Sequence, residues 1–174
     1  MGIDPENIAI QGDSAGGGLC SALALLTRDR GGPSPVFQYL GVPEIDDRMI
    51  TKSMRTFTDT PILNRAAVEE SWDAYLGKGI RGTDAVPPYA APARAVDLSG
   101  LPPTYISVMQ FDPLRDENIA YAQALLDAGV SVELHLFPGT FHGSGLVKNA
   151  AVSQREVHEA QIVLGRALGV PGVQ

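Results

Sequence analysis

The sequence predicts an α/β fold, a mostly parallel sheet flanked by helices, on two observations. Short apolar runs alternate with helical patterns along the chain, an order typical of parallel strands joined by helices. The 174 residues are 44% hydrophobic and 19% charged, which is enough apolar material for one domain with a buried core. The alternation is interrupted at residues 44–98, where charge, Pro and Thr are mixed. We expect that segment to be a cap-like insertion within a single partial domain covering 1–174.

The first elements are a strand, a helix and a second strand. Residues 8–10 form a short apolar run after the turn signal Asp4-Pro5, which predicts a buried strand. A helical pattern begins near Ser14 and ends at the Gly-Gly-Pro run of 31–33, with leucines at spacings of four and three. Residues 36–42 predict the second strand. The later predicted elements are a helix at 65–76 inside the insertion, a strand at 104–109, a helix at 116–128, a strand at 130–137 and a final helix at 150–168.

Composition excludes several classes of function. The net charge of −7 argues against nucleic-acid partners and anionic membrane surfaces. No apolar run reaches the roughly 18 residues of a membrane-spanning helix. The single cysteine, Cys20, excludes an intrachain disulfide and a multi-cysteine metal site. The first ten residues lack the features of a signal peptide, so a cytoplasmic location is the expectation.

The segment Gly12-Asp13-Ser14-Ala15-Gly16 fits the pattern G-x-S-x-G between a predicted strand and a predicted helix. That context predicts a tight turn which exposes Ser14 as a nucleophile, with small residues needed two positions before and after it. The N–H of Ala15 would face the same place and bind an oxyanion. A phosphate-binding loop is disfavoured, because the segment has no Lys.

A nucleophilic serine needs a histidine base and an orienting carboxylate. Of the three histidines, His142 follows the predicted strand 130–137, at the sheet edge where ligands bind in parallel sheets. Asp112 and Asp116 are the candidate carboxylates, and Asp116 stands where it would equally cap a helix. Asp112 follows a strand as His142 does, and Ser14, Asp112 and His142 stand in the order serine, acid, histidine.

Several runs together resemble the bacterial hormone-sensitive-lipase-like esterases, the fold-3 group of the α/β-hydrolases. They are the glycine-rich run at 12–19, Leu-Pro-Pro at 101–103, Phe-Asp-Pro-Leu-Arg-Asp-Glu at 111–117 and His-Gly at 142–143. The resemblance implies that Ser14 is the nucleophile, Asp112 the acid and His142 the base. It also implies hydrolysis of short-chain acyl esters, without a cofactor or a metal. Asp116 and Glu117 match polar positions that follow the acid in that group.

Two departures from the group lead to further expectations. A His-Gly-Gly-Gly motif, which supplies other oxyanion N–H groups in these esterases, is not found before Ser14. The group also has about four strands before the serine, whereas this chain has room for one. The chain therefore resembles the C-terminal part of such a fold with its N-terminal strands absent. We expect weak or no activity from it alone, and pairing with a missing half or with a second copy.

Other interpretations stay open. Phe57, Trp72 and Tyr75 are candidates for an acyl pocket, although Trp72 and Tyr75 would equally pack the insertion onto the core. A non-catalytic half-domain held by self-association or a partner chain is the main alternative to an esterase. α/β-Hydrolase peptidases share the residue order. Hydrolases of the Gly-Asp-Ser type are disfavoured, because they carry Asp three residues before the histidine and Gly139 stands there.

Overall fold

The computed structural model describes residues 4–170, whose strands form one parallel sheet. The strands are β1 (Ala9–Asp13), β2 (Phe37–Gly41), β3 (Thr104–Phe111) and β4 (Val132–Phe141), and their order in space equals their order in sequence. All three neighbouring pairs are parallel, so each connection has to cross back over the sheet. The parallel α/β architecture predicted from the alternation is thus confirmed.

Helices lie in each connection between strands and also follow the last strand. They are α1 (Ala15–Asp29), α2 (Lys52–Thr56), α3 (Arg65–Leu76), α4 (Arg115–Asp127) and α5 (Ala151–Ala167), with single 3₁₀ turns at Pro92–Arg94 and Ser144–Leu146. Of these five α-helices, only the short α2 is not predicted from the sequence. Asn64 caps α3 by accepting a hydrogen bond from the N–H of Ala67 at 3.1 Å, as its position suggests. Within residues 4–170, no helix has both the length and the apolar character to cross a membrane.

Alternate residues of the strands supply two cores, one on each face of the sheet. On one face Leu40 and Ile106 pack with residues of α1 and α4. On the other face Tyr39 and Tyr105 stack with ring centroids 4.8 Å apart and pack against α5. The side chains of neighbouring strand positions point to opposite faces, so the parallel register of β2 and β3 keeps each pair on one face.

Helix α1 packs on the sheet through small residues and Leu25 rather than through the regularly spaced Leu19 and Leu23. Leu19 is 55% exposed and Leu23 is 43% exposed, whereas Ala24 and Leu25 are buried. A Cβ on Gly18 would overlap the carbonyl oxygen of Glu44, so only glycine allows this close approach. The leucine spacing correctly indicates a helix, but it does not mark the buried face.

Strand β4 extends further than the sequence predicts. The segment 138–141, expected as a loop, belongs to the strand, and Phe141 pairs with Phe111 after a register shift. Leu134 and Leu136 are each about two-fifths exposed, although the alternation places them on an apolar face. The reason is that β4 is the outer strand of the described sheet. This longer strand ends directly before His142.

Residues 44–98 have an apolar cluster of their own, formed by Met49, Met54, Val68, Trp72, Val86, Ala91 and the neighbouring Leu114. The fully buried Asp47 links the beginning of this segment to its later part. Its carboxylate accepts hydrogen bonds from Arg94 at 2.6 and 2.9 Å and from the N–H of Gly82 at 2.7 Å. The assignment of this segment as a cap remains a prediction.

Candidate active site

Ser14 lies at a sharp turn between β1 and α1. Its backbone has φ 56° and ψ −124°, a conformation that costs a non-glycine residue on the order of 1–3 kcal/mol. The turn is held from both sides. The Ser14 N–H donates to the carbonyl of Gly41 at 2.8 Å, and its carbonyl accepts from the N–H groups of Gly18 and Glu44 at 3.1 and 3.0 Å. Strain fixed in this way is typical of functional sites.

The two glycines that lie two positions before and after Ser14 differ in whether the structure requires them. A Cβ at Gly12 would overlap the carbonyl oxygen of Gly16, so glycine is required there. A Cβ at Gly16 itself would meet no described atom within 4 Å. The expectation that both positions need a minimal side chain therefore holds for Gly12 alone. A side chain would also collide at Gly17 and Gly18, which the pattern does not include.

His142 bridges Ser14 and Asp112. Its Nε2 is 2.9 Å from Ser14 Oγ, and its Nδ1 is 2.7 Å from Asp112 Oδ2. Asp112 is 1% exposed, and its second oxygen accepts the N–H of Leu114 at 2.9 Å. The carboxylate is thus held on both oxygens, and an aspartate so placed fixes the imidazole tautomer whose Nε2 faces the serine. The three side chains predicted from three separate strand ends meet at one point.

Asp116 and Glu117 do not join this group. Asp116 accepts the N–H of Ser53 at 2.7 Å, which ties α2 to the start of α4. Glu117 is buried and accepts the N–H groups of Ile45 and Asp46 at 3.0 and 3.2 Å. Burial raises the pKa of Glu117 well above its ordinary value. Both residues therefore position the beginning of segment 44–98.

Two hollows open beside Ser14. A groove of about 680 Å³ is lined by Ser14 and His142, and Asp13 also lines it. A smaller cavity of about 110 Å³ is lined by Ala15, the first residue of α1. As the first residue of a helix, Ala15 has a backbone N–H without an acceptor within that helix. Ala15 thus stands at the junction of the serine and the smaller cavity.

The three candidate pocket residues have different positions. Trp72 is buried in the cluster of segment 44–98 and also lines the smaller cavity, as does the half-exposed Tyr75. Phe57 lines neither hollow in the described structure. It lies edge-on to Phe111, with centroids 6.2 Å apart, and beneath the guanidinium of Arg115.

Burial shifts the pKa of two further carboxyl groups near the site. It raises the pKa of Asp13, an effect that His142 partly offsets. It raises the pKa of Glu44 to about 7, against hydrogen bonding from Ser71. Glu44 lines the smaller cavity and is the residue that sequence reasoning missed. No sequence signal marks it, because a glutamate after a strand is ordinarily a solvated residue.

Comparisons with known proteins agree with the parallel α/β fold. A family model described as the alpha/beta hydrolase fold matches residues 1–146. The chain is 43% identical over 148 residues to carboxylesterase NlhH of Mycobacterium tuberculosis, a match covering 82% of this chain and 45% of that protein. It is 30% identical over 143 residues to an ethyl acetate hydrolase of Pseudomonas putida, covering 82% and 44%.

Solved structures are also similar over nearly the whole chain. One titled as a bacterial heroin esterase has a TM-score of 0.94 at 56% identity and covers 96% of this chain and 53% of its own. The chain thus spans about half the length of the relatives it matches. The family model over residues 1–146 establishes that the chain belongs to the α/β-hydrolase fold family, and the similar proteins support its resemblance to the hormone-sensitive-lipase-like esterases within that family.

Proposed function

We propose that Ser14, His142 and Asp112 form the catalytic triad of a carboxylic ester hydrolase. The observation that carries the proposal is His142, which lies within hydrogen-bond distance of both partners at once. The strained backbone of Ser14 supports it, since such strain persists where the surrounding structure requires it. The printed names of the relatives, carboxylesterase and ethyl acetate hydrolase, support the same reaction class.

The reaction proceeds by acyl transfer. Ser14 Oγ forms a bond to the ester carbonyl carbon while His142 Nε2 takes the hydroxyl proton, and Asp112 stabilises the resulting imidazolium. The Ala15 N–H donates to the oxyanion. The C–O bond to the alcohol then breaks, and His142 returns the proton to the departing oxygen. Water attacks the acyl-serine in the same manner, which releases the acid and restores Ser14.

The smaller cavity supports esters that are short on one side. Its volume of about 110 Å³ is below the roughly 150 Å³ of a cavity that accepts benzene. One substituent of the carbonyl next to Ala15 is thus limited to a few heavy atoms. The wider groove at His142 accommodates the other substituent.

Hydrolysis of 4-nitrophenyl acetate tests the proposal. The protein should release nitrophenol faster than buffer does, and Ser14→Ala should remove that excess, because no nucleophile remains. Ser34→Ala is the matched control, since Ser34 lies exposed in the turn before β2 and should leave the rate unchanged. Full activity in Ser14→Ala would refute the triad.

We further propose that residues 1–174, tested as an isolated polypeptide, are weakly active. Their sequence contains no His-Gly-Gly-Gly segment, so Ala15 is the oxyanion donor that the motifs identify. Loss of one oxyanion donor costs about 10²–10³ in turnover. A turnover near the typical enzyme value of ~10 s⁻¹ from this polypeptide would contradict the proposal.

A second candidate function is that of a half-domain that pairs with another copy. It is favoured by β1, which is an outer strand of the described sheet, and by the exposed Leu19 and Leu23 on the helix that follows it. Sedimentation velocity distinguishes the two: a concentration-dependent dimer supports pairing, and a cooperatively folded monomer contradicts it.

A further inference from the structure

The smaller cavity beside Ala15 contains a buried carboxylate that is only half satisfied. Glu44 is 6% exposed, and its Oε2 accepts a hydrogen bond from Ser71 Oγ at 3.0 Å. Its Oε1 is buried and has no partner among the described residues. Both Glu44 and Ser71 line the cavity. Oε1 is thus buried in the wall of the cavity, and Glu44 as a residue borders that concave site.

The carboxylate of Glu44 has no counter-charge in the described wall of its cavity. Of the described residues that line the cavity, none is Lys, Arg or His. An ionised carboxylate that is buried without a counter-charge is unfavourable, because it has lost hydration and gained no partner of opposite charge. His142 favours the ionised form from a distance, but Asp112 opposes it. A cation bound in the cavity would stabilise the ionised form of Glu44 directly.

Apart from Glu44 and Ser71, the cavity is lined by two aromatic residues, by Leu19 and by three small residues. Trp72 and Tyr75 are the two aromatic residues, and their ring centroids are 6.2 Å apart with planes tilted by 50°. Aromatic faces attract organic ammonium groups, and such cages are the usual sites for quaternary ammonium ligands. A volume of about 110 Å³ is suited to a group of the size of trimethylammonium.

We propose that this cavity is a subsite for an alkylammonium group carried on the short side of the ester, with Glu44 as counter-charge and Trp72 and Tyr75 as its aromatic wall. The proposal rests on the proposed function in one respect, namely that the ester carbonyl lies at Ser14 next to Ala15. An uncharged alkyl group of the same shape would fill the cavity but would gain neither the attraction to the Glu44 carboxylate nor that to the aromatic rings, so it should bind more weakly.

Binding tests the subsite without any turnover. Trp72 is the only tryptophan of the chain, so the tryptophan fluorescence of the protein comes from a residue that lines this cavity. The probes are choline and its uncharged isostere, 3,3-dimethylbutan-1-ol, each titrated at pH 8. Choline should give a saturable change in Trp72 emission, and the alcohol should bind at least ten times more weakly. No saturable change with choline, or equal affinities for the two probes, would overturn the proposal.

A charge-matched pair of variants then identifies the recognising group. Glu44→Gln keeps the shape of the side chain and should weaken choline at least tenfold, with little effect on the alcohol. Glu70→Gln removes the same charge from an exposed position on α3 and should leave choline binding unchanged. Equal choline affinity in wild type and Glu44→Gln would refute the role of Glu44, with calorimetry as the independent measure of affinity.

The two proposals fail in distinguishable ways. If 4-nitrophenyl acetate is not hydrolysed but choline binds selectively, the catalytic proposal fails and the subsite stands. If the nitrophenyl ester is hydrolysed but the two probes bind equally, the ammonium subsite fails and the esterase stands.

Discussion

The two sides of Ser14 differ in how their buried carboxyl groups are satisfied. On the His142 side, both oxygens of Asp112 are hydrogen-bonded, one to the imidazole and one to the N–H of Leu114. On the cavity side, one oxygen of Glu44 is paired with Ser71 and the other is left without a partner in the described structure. A completed network is suited to holding a geometry, whereas an incomplete one next to a cavity is suited to receiving a ligand.

The largest expected effect comes from disrupting the hydrogen bonds of Asp112, the carboxylate with both oxygens paired. Asp112→Asn keeps the size of the side chain but favours the wrong imidazole tautomer, so the turnover of 4-nitrophenyl acetate should fall by about 10⁴. Asp127→Asn is the control, because it makes the same change in charge at the exposed end of α4. A loss of less than tenfold in Asp112→Asn would show that Asp112 does not orient His142.

The turn at Ser14 gives the next largest effect. Gly12→Ala places a methyl group against the Gly16 carbonyl and should lower the free energy of unfolding by about 3 kcal/mol. Gly16→Ala fills open space on a helix and should raise it by up to about 1 kcal/mol. Urea unfolding of both variants measures the contrast, and equal destabilisation would contradict it.

On the cavity side, the prediction concerns pH. The pKa of Glu44 is raised from 4.5 to about 7 by burial, so the folded protein holds this proton more tightly than the unfolded chain does. The contribution of Glu44 to the free energy of unfolding is therefore full at low pH and is lost as the pH rises from about 4.5 to 7. Relative to Glu44→Gln, the wild type should lose about 2 to 3 kcal/mol of unfolding free energy between pH 5 and pH 8.

The comparison with Glu44→Gln isolates this group. Asp112 and His142, which act on Glu44 electrostatically, are present in both proteins and largely cancel in the difference. Parallel pH profiles of the two proteins, measured by urea unfolding in the absence of ligand, would show that Glu44 has an ordinary pKa.

The smallest effect is expected from Ser71, which donates to Glu44 at 3.0 Å. Ser71→Ala should lower the unfolding free energy by about 1 kcal/mol at pH 8, where Glu44 is ionised, and by less at pH 5. Ala74→Ser, an exposed change on the same helix, should show no such dependence on pH. A larger loss of unfolding free energy at pH 5 than at pH 8 would contradict the assignment of ionised Glu44 as the acceptor.

The positions of Asp112 and His142 can be predicted from the sequence, whereas that of Glu44 cannot, and the reason is physical. Asp112 and His142 follow strands of a parallel sheet, and the ends of such strands necessarily meet at one edge. The position of Glu44 depends instead on tertiary contacts, namely the close approach of Gly18 to its carbonyl and the packing of α3 above it. No local pattern encodes such contacts.

The same limit explains the errors in the predicted elements. The leucine spacing of α1 predicts a helix correctly, but the face that packs is chosen by where glycine permits close approach, which leaves Leu19 outside. The end of β4 was expected to be a loop because Pro138 and Gly139 favour turns, yet pairing with β3 extends the strand to Phe141.

The distance along the chain between Ser14 and His142 has a kinetic consequence. These residues are 128 positions apart. The parallel strands that position them can pair only after long connections have crossed back over the sheet. Contacts of such sequence separation form slowly, because the entropy of closing long loops is lost before the contacts are gained. On refolding from urea, helical circular dichroism should therefore recover before the hydrogen bond between the serine and the histidine forms. Any hydrolytic activity should be the last property to return.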